Sequence, residues 1–121
     1  MKIVIADDSL LLRERIKELL KDFESVSIVG EAGNGKEALQ LISERNPDLA
    51  IIDIRMPEIN GIEVLKKIRE TGSCLKIIIL SNYPYKQYRE RCMAEGADYF
   101  FDKNQDSGKL TDIIFQLANA I

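Results

Sequence analysis

The sequence predicts an α/β fold: a doubly wound parallel sheet of five strands with helices on both faces. Across the 121 residues, short apolar runs alternate five times with longer segments whose apolar residues follow helical spacing. The strand-like runs are continuously apolar rather than alternating, which is typical of strands covered on both sides. Right-handed crossovers between parallel strands would place helices on both faces.

The first predicted unit begins at the N-terminus. Ile3–Ala6 is a continuous apolar run and predicts a buried strand. Ser9 is placed to cap the helix that follows. That helix has apolar residues at helical spacing, namely Leu12, Ile16, Leu19, Leu20 and Phe23. Val26–Val29 then predicts the second strand, with Glu31 after its end.

The second helix follows a Gly-Asn-Gly turn. Asn34 and Glu37 have the spacing of a capping box, which predicts a helix that begins there and runs through Arg45. Pro47 separates this helix from the third predicted strand, Leu49–Asp53.

The second half of the chain repeats the alternation twice more. The predicted strands are Leu75–Leu80 and Tyr99–Phe101. Three helices are predicted: one with Ile62, Leu65 and Ile68 that stops near Gly72, one with Pro84 in its first turn, Tyr88, Cys92 and Met93 that ends at Gly96, and one with Leu110, Ile113, Ile114 and Leu117.

Composition limits the function classes. The length predicts one domain, residues 1–121. A net charge of −3 argues against broad nucleic-acid binding by this chain. No apolar run approaches a membrane span and no signal peptide is evident, so we expect a cytoplasmic protein without membrane contact. The two cysteines are expected to be small apolar fillers. The absence of histidine excludes Ser-His-Asp and Cys-His nucleophiles and the role of phosphohistidine carrier.

Four polar groups follow predicted strands: the Asp7-Asp8 pair, Asp53, Ser81 and Lys103. Because the carboxyl ends of parallel strands lie along one edge, these residues should meet there. Carboxylates suit Mg²⁺, and an aspartate can attack phosphorus to give an aspartyl phosphate. A hydroxyl and an ammonium can bind phosphoryl oxygens. Each residue alone is better explained as a helix cap, a turn residue or a solvated side chain. Together they indicate a site for a divalent cation and a phosphoryl group.

At this point a family resemblance can be stated. Five segments carry it: Val4–Ser9, Asp48–Pro57, Asn60-Gly61, Ile78–Ser81 and Gly96–Lys103. Over essentially its whole length the chain resembles the receiver domain of a two-component response regulator. The resemblance implies a flavodoxin-like (βα)5 fold with strand order 2-1-3-4-5. It implies a signalling switch that catalyses only its own phosphorylation and dephosphorylation.

The resemblance also implies roles for the site residues. Asp53 would accept a phosphoryl group from a sensor histidine kinase or a phosphotransfer protein. Mg²⁺ (or Mn²⁺) would be held by Asp8, Asp53 and the main-chain carbonyl of Arg55, with Asp7 reaching it through water. Lys103 would bind the phosphoryl group.

Other implied roles concern switching and output. Ser81 would be the switch hydroxyl and Phe100 the aromatic residue that turns inward, although a plain core role for Phe100 is an equal alternative. Arg55 and Tyr83 would tune the lifetime of the phosphorylated state. A homodimer through the fourth helix, fifth strand and fifth helix is one implied partner arrangement. Two segments, Val29–Gly35 and Asp98–Lys103, look similar to regulators that carry a helix-turn-helix DNA-binding domain.

Three residues depart from the family pattern. Asn104 follows the lysine where many members have a proline in a cis peptide, which puts the usual loop geometry in doubt. Ser81 replaces the commoner threonine. Asn82 stands where a small residue is usual, so it could narrow access to Asp53.

Three other interpretations remain open from the sequence. A flavodoxin-like cofactor module would share the architecture, but Asp7-Asp8 would repel a cofactor phosphate. A phosphatase with an aspartyl nucleophile would place that nucleophile after the first strand. A degenerate receiver could serve as an unphosphorylated interaction domain, although the full set of acceptor, metal, hydroxyl and lysine residues argues against it.

Overall fold

The computed structural model describes residues 1–82 and 85–120. In these residues five strands alternate with five helices. The strands are β1 (Lys2–Ala6), β2 (Ser27–Ala32), β3 (Leu49–Asp53), β4 (Lys76–Ser81) and β5 (Tyr99–Asp102). The helices are α1 (Leu10–Leu20), α2 (Gly35–Arg45), α3 (Gly61–Glu70), α4 (Lys86–Ala94) and α5 (Ser107–Asn119).

The strands form one parallel sheet in the order β2-β1-β3-β4-β5, which confirms the predicted fold class and strand order. A hydrophobic cluster lies on each face of the sheet. One contains buried residues of α2, α3 and α4, and the other contains Ile16, Leu20, Leu110 and Ile114 from α1 and α5. β1 and β3 lie inside the sheet, and each is paired with a strand on either side.

Local hydrogen bonds set where the helices begin. The Ser9 hydroxyl accepts from the Leu12 amide at 3.2 Å, and Asn34 Oδ1 accepts from the Glu37 amide at 2.8 Å. These contacts confirm both predicted N-caps. Asn60 caps α3 in the same way, and this cap holds the start of the helix that follows the β3 loop.

The second strand differs from its predicted extent. It covers Ser27–Ala32 rather than Val26–Val29, because pairing with β1 continues as far as Ile5 opposite Glu31 and Ala6 opposite Ala32. Local pattern does not report such long-range pairing, so Glu31 was wrongly placed beyond the strand. The cysteine expectation is right for Cys92, which is buried, and wrong for Cys74, which is exposed.

Candidate functional site

The predicted site residues lie at the carboxyl edge of the sheet. Asp7 directly follows β1, and Asp53 and Ser81 are the last residues of β3 and β4. Lys103 directly follows β5. β1 pairs with β3, and β3 pairs with β4, so the strand ends lie side by side.

Lys103 connects two of these strand ends. Its Nζ lies 2.7 Å from Asp7 Oδ2 and 3.1 Å from Asp53 Oδ1, and the lysine side chain is 6% exposed. Asp7 and Lys103 are 96 positions apart in the sequence. The fold therefore forms the predicted contact between the lysine and the acidic residues, in a place where water screens charge weakly.

Asp7 is held by several further hydrogen bonds. Its Oδ1 accepts from the Ser9 amide at 2.8 Å, and its own amide donates to the Ala32 carbonyl at 2.9 Å. Arg13 Nη1 donates to the Asp7 main-chain carbonyl at 2.6 Å, while Arg13 Nε lies 3.2 Å from Glu31 Oε1. Both Asp7 carboxylate oxygens therefore already have donors. Arg13 and Glu31 are not among the site residues predicted from the sequence, because neither follows a predicted strand directly.

Asp7, Asp8 and Asp53 form the acidic cluster of the site. Each offers one carboxylate oxygen, and these oxygens all lie within 4.8 Å of one another. Asp7 and Asp53 are buried, while Asp8 is exposed and faces the solvent side of the cluster. Carboxylate oxygens are hard ligands that fit Mg²⁺, which usually takes one or two carboxylates directly and keeps several waters.

The acidic cluster changes the ionisation of Asp53. Burial and the charge of Asp7 raise the pKa of Asp53 to about 6, although the neighbouring Lys103 ammonium lowers it in part. Asp8 adds to the rise. Three carboxylates face one ammonium here, so the site has an excess of negative charge that a divalent cation would relieve.

Gly61 brings the start of α3 close to Asp53. A Cβ atom at this position would lie 2.1 Å from the Asp53 main-chain oxygen, so no other residue fits without a shift of backbone. The Gly61 amide donates to the Ile54 carbonyl at 2.7 Å. The loop between β3 and α3 is therefore folded back tightly behind the carboxylate. Arg55 lies exposed in this loop.

Ser81 and Phe100 occupy the predicted positions on the neighbouring strands. Ser81 is buried, and its main-chain carbonyl accepts from the Lys103 amide at 3.0 Å. Phe100 is buried in the core that includes α4, and the Arg89 guanidinium of α4 lies 4.9 Å from the centre of its ring. Tyr83, one of the two positions predicted to tune the lifetime of the phosphorylated state, lies outside the described residues, and so does Pro84, which was predicted in the first turn of the fourth helix.

Two of the residues that depart from the family pattern, Asn82 and Asn104, lie on the surface beside Lys103. A shallow cleft of about 170 Å³ is lined by Ser9, Arg15, Asn82, Lys103 and Asn104, among others. Asn82 is exposed. The described residues contain no cis peptide bond. At the position where the family pattern has a proline in a cis peptide, the Asn104 amide donates to Asp102 Oδ1 at 2.8 Å.

Comparisons with known proteins decide the family. The family described as "Response regulator receiver domain" matches residues 3–115. This chain is a response regulator receiver domain. It is 31% identical over 116 residues to the nitrate/nitrite response regulator protein NarL of Escherichia coli K12, which covers 96% of the chain.

Solved receiver-family structures agree closely with this receiver. A DNA-binding response regulator of the LuxR family from Staphylococcus aureus superposes with a TM-score of 0.89 and 31% identity, covering 97% of this chain and 98% of the other. The CheX-CheY-BeF3-Mg+2 complex from Borrelia burgdorferi gives a TM-score of 0.87 at 26% identity, covering 97% and 88%. These matches favour a receiver over the flavodoxin-like cofactor module and the phosphatase.

The receiver spans about half the length of the curated regulators it matches, for example 52% and 54% of two of them. In the described part of this receiver, no helix has the length and apolar character needed to cross a bilayer.

Proposed function

We propose that this receiver is a phosphorylation-dependent switch that accepts a phosphoryl group on Asp53 in a Mg²⁺-dependent reaction. The observation that carries the proposal is the position of Lys103 Nζ, 3.1 Å from Asp53 Oδ1 and 2.7 Å from Asp7 Oδ2. A buried ammonium beside one carboxylate of an acidic cluster is an arrangement suited to phosphoryl transfer, where positioning and charge stabilisation provide most of the catalysis.

In the transfer step, an Asp53 carboxylate oxygen attacks phosphorus in line with the leaving group. The new O–P bond forms as the P–N bond of a phosphohistidine breaks, and the imidazole nitrogen keeps the electron pair of that bond. Lys103 donates hydrogen bonds to the phosphoryl oxygens as charge develops on them. Attack needs the ionised carboxylate, and at neutral pH Asp53 is mostly ionised despite its raised pKa.

The residues present fit a magnesium ion. Asp8, Asp53 and the main-chain carbonyl of Arg55 would hold it, and Asp7 would contribute through water, since both its carboxylate oxygens already accept hydrogen bonds from Lys103 and Ser9. When bound, the ion supplies charge stabilisation at the phosphoryl oxygens.

Ser81 and Phe100 would then change position in response to phosphorylation of Asp53. The Ser81 hydroxyl would donate to the phosphoryl group, and movement at the end of β4 would be passed to Phe100 on β5. Ser81 lies beside β5 in the sheet, since it is opposite Asp102. Arg55 and Tyr83 would tune how long the state lasts.

The partners of the switch follow from its family. We propose a sensor histidine kinase or a phosphotransfer protein as the phosphoryl donor, and a DNA-binding output domain as one effector. The second part of this proposal is supported by the similar protein from Staphylococcus aureus, which is a DNA-binding response regulator. A homodimer through α4, β5 and α5 is a further proposal. The receiver itself would catalyse only its own phosphorylation and dephosphorylation.

The test is intact-mass measurement after incubation with acetyl phosphate, with and without Mg²⁺. We expect a gain of one phosphoryl group that requires Mg²⁺ and is absent in Asp53→Asn. Asp48→Asn serves as the matched control, because Asp48 lies before β3 at the opposite edge of the sheet, where its Oδ2 accepts from the Lys2 amide at 2.7 Å. No gain in the wild-type protein under any condition would favour the degenerate interaction domain.

A further inference from the structure

Two acidic residues outside the acidic cluster, Asp102 and Asp106, flank Lys103 in the sequence. The Asp102 amide donates to Asp106 Oδ2 at 2.8 Å, and the Asp106 amide donates to the Asp102 carbonyl at 3.0 Å. Asp102 Oδ1 also accepts from the Asn104 amide at 2.8 Å. We call these three hydrogen bonds the Asp102–Asp106 clasp. The clasp closes the turn that begins with Lys103.

The clasp places two carboxylates in a protected environment. Asp102 is 8% exposed, and the Asp106 side chain is 14% exposed. Burying carboxylates costs free energy unless they are hydrogen bonded, and here backbone amides of the same turn provide the donors. The hydrogen bond from the Asp102 amide lowers the pKa of Asp106, and the nearby Lys109 ammonium contributes to the same direction. Asp106 is therefore ionised and accepts strongly at neutral pH.

A hydrogen bond to the sheet holds the main chain of Lys103, and the clasp holds the turn that follows it. The Lys103 amide donates to the Ser81 carbonyl at 3.0 Å, which fixes the residue to the end of β4. After the clasp, the Leu110 amide donates to the Asp106 carbonyl, and Leu110 is buried against the sheet. The backbone on both sides of Lys103 is thus tied to rigid elements, and its Nζ is directed to Asp7 and Asp53.

We propose that Asp102 and Asp106 are positioning residues for Lys103, and that their clasp provides the loop geometry that a proline supplies after the lysine in many relatives. The proposal rests on the proposed function, because Lys103 is taken to bind the phosphoryl group.

The test uses substitutions that remove or keep the acceptors. Asp102→Ala and Asp106→Ala remove them, while Asp102→Asn and Asp106→Asn keep an oxygen in place. Asp48→Ala is the matched control, since it removes a comparable hydrogen bond from the Lys2 amide at the opposite edge of the sheet. For each protein we would measure the thermal midpoint, the phosphorylation rate with acetyl phosphate, and Mg²⁺ affinity by calorimetry.

The clasp predicts opposite changes in the two functional measurements. In the alanine variants the phosphorylation rate should fall about 10-fold, because a misplaced lysine no longer meets the phosphoryl oxygens. Mg²⁺ affinity should rise about two- to fivefold, because the ammonium neutralises the carboxylates less well. The asparagine variants should restore both values to within about twofold of wild type. Asp48→Ala should change the thermal midpoint alone.

A merely structural role gives a different result. If the alanine variants lower phosphorylation and Mg²⁺ affinity together, or leave the phosphorylation rate unchanged, the proposal is overturned. If Asp102→Ala does not fold, Asp106→Ala decides the question, because Asp106 is more exposed. If the wild-type protein takes up no phosphoryl group, the proposed function fails, and the Mg²⁺ affinity of the alanine variants alone supports or overturns the clasp.

Discussion

Asp98 and Asp53 lie at opposite edges of the same sheet and have opposite charge surroundings. Asp98 Oδ2 accepts from the Ile77 amide at 2.8 Å and from Arg69 Nη2 at 3.1 Å, and Lys76 Nζ lies 3.7 Å from its Oδ1. Two cations thus face one carboxylate. Around Asp53, one ammonium faces three carboxylates. Asp98 therefore connects elements of the fold, whereas the excess of negative charge around Asp53 fits the proposed cation site.

The largest expected effect comes from removing the one cation of the acidic cluster. Lys103→Met should lower the phosphorylation rate by about 100-fold, since a positioned donor to developing charge is lost. The same substitution should tighten Mg²⁺ binding, because the carboxylates keep their full negative charge. Intact-mass kinetics and calorimetry would measure the two effects. A variant that binds Mg²⁺ more weakly than wild type would contradict this view of the cluster.

The next largest effect is a loss of stability when Asp98 is substituted. Asp98→Ala leaves the Ile77 amide and the Arg69 guanidinium without this acceptor and should lower the free energy of unfolding by about 2 kcal/mol. Denaturant unfolding would measure the loss. Phosphorylation of the folded fraction should match wild type, and a strong decrease in that rate would show that the two edges are not independent.

Asp53→Asn should have the reverse effect on stability. The pKa of Asp53 is raised from an ordinary value of 3.8 to about 6, so between these values the folded protein holds more protons than the unfolded chain. The stability that this protonation of Asp53 contributes is therefore complete below about pH 4 and is lost as the pH rises through about 6. Without Mg²⁺ at about pH 8, the variant should be more stable than wild type by about 3 kcal/mol.

The pH dependence of this difference provides the control. The difference in the free energy of unfolding between Asp53→Asn and wild type should disappear as the pH is lowered below about 4, where the wild-type carboxyl is also neutral. Chemical unfolding at a series of pH values in the presence of a chelator would measure it. A gap that is the same at every pH would mean that the amide stabilises the site for reasons other than charge.

The smallest effect is expected for an exposed ion pair. Lys86 Nζ lies 3.7 Å from Glu90 Oε1, with side chains 87% and 65% exposed. Glu90→Gln should change the free energy of unfolding by less than about 0.5 kcal/mol, because water and salt screen such pairs. Thermal unfolding at low salt would test this, and a loss as large as that of Asp98→Ala would show that counting charges without regard to burial is misleading here.

The fold and the central site residues could be predicted because they depend on features that are local in sequence. Continuous apolar strands, helix caps at Ser9 and Asn34, and polar residues directly after strands all leave a pattern in a single segment. The topology of a parallel sheet then determines which strand ends meet, so the contact of Lys103 with Asp7 and Asp53 followed from the fold class.

The missed features depend on partners that are distant or that carry no pattern. The extension of β2 to Ala32 comes from its pairing with β1. Arg13 donates to the Asp7 main-chain carbonyl and to the Glu31 carboxylate, and neither contact leaves a pattern in the sequence. Asp102 and Asp106 have the appearance of ordinary loop acids, and only the turn geometry shows that their oxygens accept backbone amides.

Calorimetric titration with Mg²⁺ tests most directly whether the excess of carboxylates defines the site. At about pH 8 the wild-type protein should bind one Mg²⁺, Asp8→Asn should bind it much more weakly, and Asp98→Asn should bind it like wild type. Binding should weaken as the pH falls through about 6, because protons then compete for Asp53. Absence of binding in the wild-type protein, or equal binding in Asp8→Asn, would contradict the claim that the cluster of Asp7, Asp8 and Asp53 is a cation site.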